Sequence, residues 1–318
     1  MDLRQLDALV AVAEHHSFSA AARALHTVQS NVSSHVAKLE RELAVELVDR
    51  SEGQLTRAGH LVVERARRVR AELRALTNDL ASVQGEVAGT VFLGLIGTTG
   101  RWMAPELIRH MASQHPGVEL IVVEATTTGL LPQLRSGRIE MAVVNLPLVD
   151  SDFVVEVLFD EELVCVVPDD HPLAGRAALD LAELARHDVL IGPPGNAVRD
   201  VLDRAVEEIG IELRPLAQID GVRLIATMAF EGYAPAIVPA TAVPRQQAGD
   251  WQVLPIEGAP HRRVGLARNA RALPSAPGRA LHTALRRTLH HEATRQPGIH
   301  PVGGPDDPAS AAQADGEN

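Results

Sequence analysis

In residues 28–43, apolar positions recur with the period of an α-helix, and polar positions lie between them. The apolar residues Val32, Val36, Leu39 and Leu43 recur at helical spacing and therefore share one face. The opposite face carries short hydroxyl, amide and imidazole side chains, where an ordinary surface helix would carry pairs of Glu and Lys. Small hydrogen-bonding groups of this kind suit close contact with a polar surface, and DNA base edges are one such surface.

Two shorter helical patterns precede this segment. Residues 3–14 predict a first helix, and an alanine-rich second helix follows with Ser17 or Ser19 as its N-cap. A turn at 26–27 then leads into the polar-faced helix, which is the order of a helix-turn-helix domain. Two short extended segments around a glycine turn at 45–56 predict a β-wing. On pattern alone, a generic three-helix domain remains an alternative.

From Thr56, a favourable N-cap, the apolar pattern narrows to a heptad seam. The seam residues follow at alternating spacings of four and three: Val62, Ala66, Val69, Leu73, Leu76, Leu80, Val83 and Val87. The seam spans about 38 Å of helix and occupies two positions in seven, which is typical of a coiled coil. The body of the same chain is an alternative partner, but the narrow seam favours a homodimer through this helix.

The pattern changes again from Thr90 onwards. Buried-strand runs such as 91–97, 118–124 and 139–145 are separated by helical segments, and the alternation continues to about residue 268. It predicts an α/β body with mostly parallel sheets, followed by a last helix. Residues 296–318 are small, polar and rich in Pro and Gly, so they predict a disordered tail.

The net charge of −11 is unevenly distributed along the 318 residues. Residues 1–70 hold ten basic and nine acidic residues, a charge of +1, whereas the remainder holds twenty and thirty-two, a charge of −12. DNA binding is therefore not excluded, because the local field near a helix matters more than the total. A single cysteine, Cys165, excludes an internal disulfide. We expect a cytoplasmic protein, because no signal peptide or apolar run long enough to span a membrane is present.

A contiguous set of motifs covers residues 1–60. It comprises SFSAAARALH, then Gln29 and Ser33 in the polar-faced helix, the Leu47–Arg50 strand, and LTRAG leading into the long helix. In these motifs the chain resembles the LysR-type transcriptional regulators, whose N-terminal domain is a winged helix-turn-helix. The α/β body is similar to the effector domain of the same family, which resembles periplasmic solute-binding proteins.

The resemblance implies a domain organisation and a function. The implied segments are a DNA-binding domain at 1–57, a linker and dimerisation helix at 58–88, an effector-binding domain at 89–295 and the tail at 296–318. Within the effector-binding domain, lobe I comprises 90–162 and 267–295, and lobe II comprises 163–266. Such a regulator binds double-stranded DNA at an interrupted palindromic operator as a homodimer or tetramer. A small polar or anionic effector between the lobes controls it, and RNA polymerase is a candidate partner.

The candidate DNA contacts lie on the polar-faced helix, in the wing and at the start of the linker helix. They are Gln29, Ser30, Asn31, Ser33, Ser34, His35, Lys38, Arg50 and Arg57. Capping or solvation alone is the simpler role for an individual serine. The family often has proline at Ser30, arginine at Ser34 and a basic wing tip where this chain has SEGQ. The missing charges predict fewer phosphate contacts.

Polar residues at the strand-to-helix junctions of the body are candidate effector contacts, because open α/β sheets bind ligands there. They are Thr98, Thr99, Arg101, Thr126, Thr127, Asn145, Asn196 and Asp220. Each could equally serve ordinary turn chemistry. Arg101 would either clamp a carboxylate or face solvent. The glycines at 94–100 follow GxxGxxG and not the dinucleotide pattern GxGxxG, so we predict no cofactor.

Catalytic signatures are missing from the sequence. There is no GxSxG, HExxH, CxxC or Walker-type loop. His290, His291 and His300 have no neighbouring cysteine or acidic frame, so no metal site is predicted. The chain is therefore not expected to be an enzyme. The alternative to a regulator is a cytosolic, solute-like small-molecule binding protein without operator specificity.

Overall fold

A computed structural model describes residues 1–49, 53–83, 87–245 and 249–303. The N-terminal domain contains three helices and a two-stranded antiparallel wing: α1 Leu3–His15, α2 Phe18–Ala24, α3 Gln29–Leu43, β1 Val48–Asp49 and β2 Gln54–Leu55. Asp2 and Gln5 form a capping box at α1, and the side chain of Ser17 caps α2. Of the two predicted caps for α2, the structure therefore selects Ser17.

Helix α3 buries Val32, Val36 and Leu39 in the N-terminal core. The fourth predicted member of that face, Leu43, is 38% exposed, because the helix ends there and Ala44 turns the chain away with a φ of +54°. Leu43 is thus the last residue of the helix, where the predicted apolar face reaches the edge of the core.

A long helix, α4 Arg57–Val83, connects the N-terminal domain to the body. Its start is capped by Thr56, whose hydroxyl accepts the N–H of Gly59 at 3.0 Å. Gly59 lies so close to β1 that a Cβ there would be 2.0 Å from the carbonyl oxygen of Leu47. Only glycine allows α4 to pack this closely beside the wing. Val63 and Ala66 are buried in the N-terminal core.

The later part of α4 rests with one face on the body. Arg68 and Arg74 donate to the carbonyl oxygens of Arg135 (2.9 Å) and Gly137 (3.0 Å). The buried amide of Asn78 donates to the carbonyl oxygen of Thr90 at 3.1 Å. These contacts use a helix face different from the heptad seam. Only the later part of the seam is exposed: Leu73, Leu76, Leu80 and Val83 are 40%, 56%, 60% and 81% exposed. Its first two residues, Val62 and Ala66, pack in the N-terminal core, so for them the expected partner is the same chain.

The body consists of two lobes, each built on a six-stranded sheet. Lobe I has the strand order β14-β6-β13-β5-β3-β4 and lobe II the order β10-β9-β11-β7-β12-β8. The strands of lobe I are β3 Gly89–Leu95, β4 Val118–Glu124, β5 Met141–Asn145, β6 Phe153–Glu161, β13 Arg262–Asn269 and β14 Ile299–Pro301. Those of lobe II are β7 Leu163–Pro168, β8 Leu179–Asp180, β9 Asp188–Ile191, β10 Arg214–Gln218, β11 Ala236–Pro239 and β12 Trp251–Glu257.

Helices pack on these sheets and begin where strands end. Lobe I carries α5 Gly97–Gln114, α6 Thr127–Arg135 and α10 Ala276–Ala293. Lobe II carries α7 Leu181–Leu184, α8 Ala197–Glu208, α9 Val222–Phe230 and the 3-10 helix Ala240–Ala242. Among the described residues, no helix is both long and apolar enough to cross a membrane.

Three expectations for the body can be compared with the structure. Both sheets are mixed, since β13 and β7 each run antiparallel to both neighbours. Three of the five strand pairings in lobe II are parallel but only two of the five in lobe I, so the expected mostly parallel arrangement holds for lobe II and not for lobe I. Lobe I resumes at 262 and not at 267, because β13 pairs with β5 and β6 along its length. The predicted tail is ordered over 296–303: β14 pairs with β6 and buries Ile299. Residues 304–318 lie outside the described part of the chain.

Candidate DNA-binding face and effector cleft

The polar face of α3 points away from the N-terminal core. The residues Gln29, Ser30, Asn31, Ser34 and Lys38 are exposed, whereas Ser33 and His35 are partly buried. Because Val32, Val36 and Leu39 anchor the opposite face, the polar residues form a projecting ridge.

Local hydrogen bonds orient two of these side chains. The Oε1 of Gln29 accepts the hydroxyl of Ser19 at 2.8 Å, and the Nδ2 of Asn31 donates to the hydroxyl of Thr27 at 3.0 Å. Both partners belong to the region before α3. The amide groups are thus held in place before any partner arrives, which reduces the entropy lost on binding.

Basic residues flank this ridge. Lys38 is exposed on α3, and Arg57 is exposed at the first position of α4. The third predicted basic contact, Arg50, lies outside the described residues. In the wing, Gly53 has a φ of +69°, a conformation that suits glycine at the tip of a hairpin.

A cleft of about 590 Å³ lies between the two lobes. Six of the eight predicted effector residues line it: Thr98, Thr126, Thr127, Asn145, Asn196 and Asp220. The first turns of four helices, α5, α6, α8 and α9, open onto this space. Lobe I supplies two of these helices and lobe II the other two.

The four helix N-termini differ in how they are capped. The hydroxyl of Thr126 accepts the N–H of Gly129 in α6, and the amide oxygen of Asn196 accepts the N–H of Val198 in α8. Helices α5 and α9 begin without a side-chain cap. Their first N–H groups therefore remain available to an acceptor in the cleft, where the helix dipole favours negative charge.

An ion pair spans the cleft between the lobes. The guanidinium of Arg223, in the first turn of α9, lies 2.6 Å from the carboxylate of Glu124 at the end of β4. Both residues are partly exposed, so the pair contributes little to stability and is easily exchanged. The sequence did not single out Arg223, because nothing local distinguishes it from other surface arginines.

A second ion pair forms the floor of the cleft. Arg262 and Glu161 are 3% and 0% exposed, and the Arg262 Nε donates to Glu161 at 2.9 Å. Arg262 also donates to the hydroxyl of Thr98 at 3.1 Å, and Glu161 accepts the N–H of Thr241 at 2.7 Å. Neither residue was predicted from the sequence. The only indication of their role was their position at the two connections between the lobes.

The structure places the remaining two predicted residues outside the cleft. Thr99 is fully buried, and its hydroxyl has no hydrogen-bond partner among the described residues. Arg101 faces lobe II, where it donates to the carbonyl oxygens of Thr241 (2.9 Å) and Ala242 (2.6 Å). Neither predicted role for Arg101, a carboxylate clamp or a solvated side chain, matches this geometry. Partial burial, together with the nearby charge of Arg223, lowers the pKa of Arg101.

Two family models match the chain. The model for the bacterial regulatory helix-turn-helix protein of the lysR family matches residues 3–60, and the model for the LysR substrate binding domain matches residues 84–290. The chain belongs to the LysR family. The resemblance seen in the N-terminal motifs is thereby confirmed, together with the predicted combination of a winged helix-turn-helix and a two-lobed α/β domain.

Named relatives of this LysR-family chain are regulators. The DNA-binding transcriptional dual regulator OxyR of Escherichia coli K12 is 34% identical over 271 residues, covering 84% of this chain and 88% of that protein. A probable hydrogen peroxide-inducible genes activator from Streptomyces viridosporus is 31% identical over 293 residues, covering 90% and 94%.

Solved structures share the architecture. A full-length variant of OxyR from Pseudomonas aeruginosa has a TM-score of 0.75 and 25% identity, covering 96% of this chain and 99% of that one. CbnR complexed with its target DNA has a TM-score of 0.67 and 22% identity, covering 92% and 100%. The present chain is a LysR-type DNA-binding transcriptional regulator controlled by a small-molecule effector bound between its lobes. The solute-binding alternative is not supported.

Proposed function

We propose that α3 is the recognition helix and that its exposed hydroxyl and amide groups contact base edges of an interrupted palindromic operator. Support comes from the projecting ridge around Ser30, Asn31 and Ser34, whose opposite face is locked into the core. Ser33 and His35, partly buried, border the ridge, and Gln29 begins it. Lys38 and Arg57 contact phosphates on either side, and the small number of charges gives a shallow salt dependence.

The operator experiment compares two pairs of substitutions in footprinting assays. We expect Asn31→Ala with Ser33→Ala to abolish specific protection, because these groups carry base readout. The matched control, Ser113→Ala with Gln114→Ala, removes the same kinds of group from an exposed surface of α5 and should leave the footprint unchanged. Retained protection in the first pair would contradict the assignment of α3.

The protein acts as a homodimer joined through α4, and two such dimers form a tetramer, in the cytoplasm. The support is the exposed row formed by Leu73, Leu76, Leu80 and Val83, while a different face of the same helix rests on lobe I. A coiled-coil pairing covers this row with its own copy and places two recognition helices on one duplex.

The effector is a small anion, such as a carboxylate, that binds where the four helix N-termini meet. The observation that carries this proposal is the pair of uncapped N-termini, α5 and α9, with Arg223 in the first turn of α9. Helix dipoles and unpaired N–H groups favour negative charge there. The anion takes Arg223 from Glu124, so it selects lobe positions in which that ion pair is open and shifts the equilibrium toward them.

The experiment for the effector is a titration of small mono- and dicarboxylates, with operator affinity as the readout. Arg223→Ala should abolish the response to an active anion, while Arg223→Lys should retain part of it. As a matched control, Arg279→Ala removes an exposed arginine of α10 and should respond as the unmodified protein does. An equal response of all three variants would refute the role of Arg223.

Several relatives are named as hydrogen peroxide-inducible genes activators. Peroxide sensing by thiols requires an accessible thiolate. In this chain, the single cysteine is Cys165 in the centre of β7, where it is 0% exposed and burial raises the pKa of its thiol to about 12. We therefore propose that this regulator responds by reversible ligand binding, and not by thiol oxidation.

A further inference from the structure

Three side chains from distant parts of the chain meet on the surface where the lobes join. Glu162 lies in the connection from β6 to β7, His261 lies directly before β13 in the return connection, and His300 lies on β14. We name these three residues the hinge cluster. Their candidate donor atoms, one carboxylate oxygen and one nitrogen of each ring, all lie within 4.8 Å of one another. None of the three lines the effector cleft.

We propose that the hinge cluster binds one divalent transition-metal ion of the Zn²⁺ class, with a water molecule as the fourth ligand. Two imidazole nitrogens and one carboxylate oxygen form a ligand set suited to Zn²⁺ and similar borderline ions, whereas Mg²⁺ and Ca²⁺ prefer all-oxygen sets. The side chains of Glu162 and His300 are 36% and 52% exposed. An ion bound there is open to solvent on one side, which leaves room for the water.

The present spacing is close to what such an ion requires. Tetrahedral coordination at about 2.0–2.1 Å places donor atoms about 3.4 Å apart. The His300 Nε2 is 2.7 Å from the Glu162 Oε1, and the rings of His261 and His300 lie nearly parallel, with centroids 5.3 Å apart. The donor atoms of Glu162 and His300 must move slightly apart, and each of the other two donor pairs must approach by at most about 1.4 Å. Rotations about the side-chain bonds of these residues accomplish this.

The backbone beneath the cluster is held in place. The N–H of Glu162 donates to the carbonyl oxygen of Gly298 at 2.9 Å, and the carbonyl oxygen of Glu162 accepts the N–H of Ala240 at 3.0 Å. His300 lies opposite Asp160 in the register of β14 with β6. Gly298 has a φ of +77°, which turns the chain into β14. The ligands are therefore positioned by strands and paired backbone.

Asp160, opposite His300 in the register of β14 with β6, is already engaged by a neighbouring arginine. Its carboxylate accepts two hydrogen bonds from Arg263, at 2.7 and 2.9 Å. Asp160 is therefore not counted among the ligands. The ion would link both connections between the lobes to β14.

The test is metal binding by the full-length, untagged protein. Zn²⁺ is titrated in competition with a chromophoric chelator, and Co²⁺ in a separate titration reports the geometry by its visible spectrum. We expect one equivalent of Zn²⁺ at saturation and a tetrahedral Co²⁺ spectrum. His261→Ala and His300→Ala should each weaken binding at least about 100-fold, since loss of a ligand exceeds the effect of losing an outer-shell partner. Glu162→Gln, which keeps the shape of the side chain, should weaken it as well.

The control is the other close histidine pair, His171 and His187, whose ring centroids are 5.2 Å apart in lobe II. Replacing both with alanine should leave the Zn²⁺ affinity unchanged. The proposal is overturned if no saturable site is found, if the hinge-cluster variants bind as tightly as the unmodified protein, or if the control pair weakens binding equally. Circular dichroism of the metal-free variants establishes that each is folded.

Discussion

The exposed seam of α4 gives a quantitative prediction for assembly. Replacing Leu73 and Leu80 with aspartate should convert the protein to monomers. Full burial of a leucine side chain contributes about 1.5–3 kcal/mol. These two leucines are 40% and 60% exposed in the single chain. Covering the exposed part of both in a dimer therefore contributes about 2 kcal/mol per chain and about 4 kcal/mol for the two copies.

This free energy translates into a change of affinity. Each tenfold change in a dissociation constant corresponds to about 1.4 kcal/mol, so losing about 4 kcal/mol raises the dimer dissociation constant by roughly 10³-fold. The cost of placing aspartates in the seam comes in addition. Sedimentation velocity across a dilution series should show a single-chain mass for the double variant. The control, methionine at the same two positions, keeps the apolar surface and should remain oligomeric. An unchanged mass for the aspartate variant would refute dimerisation through the seam.

Three other substitutions test buried and reactive groups. Thr99→Val removes a buried hydroxyl that lacks a hydrogen-bond partner among the described residues. It should leave the effector response intact and the melting temperature equal or higher. A weakened dose response would show that Thr99 does contact the effector. Arg262→Met leaves the buried Glu161 unpaired and should cost about 3–5 kcal/mol in urea unfolding; a loss below about 1 kcal/mol would show that Glu161 finds another partner. Cys165→Ser should not change the DNA affinity measured with and without hydrogen peroxide, and a peroxide effect that this substitution abolishes would contradict the proposed ligand response.

Regular patterns made the helical part of the chain predictable. The spacing of Val32, Val36 and Leu39 predicted the buried face of α3, and the seam predicted the exposed row on α4, because both depend only on the period of a helix. The wing also follows from local turn chemistry. Local signals of this kind need no knowledge of the rest of the fold.

The parts that sequence reasoning missed depend on contacts between distant residues. Arg262 and Glu161 have ordinary neighbours in sequence, and only the two connections between the lobes bring them together. Residues 296–303 are similar: their composition indicated disorder, but they pair through β14 with β6 and bury Ile299. For the same reason His300 gave no metal signal until His261 and Glu162 were placed beside it.

Helix α4 is fixed at two separate places, so a movement at one is transmitted along its length to the other. Its start is buried among α1–α3 through Val63 and Ala66, and its later turns are tied to lobe I through Arg74 and Asn78. The helix has 27 residues and is therefore about 40 Å long. A tilt of only about 5° at the lobe displaces its far end by about 3.5 Å, close to the rise of one base pair. In the proposed dimer, small movements of the lobes would thus be enough to change which base steps the two copies of α3 reach.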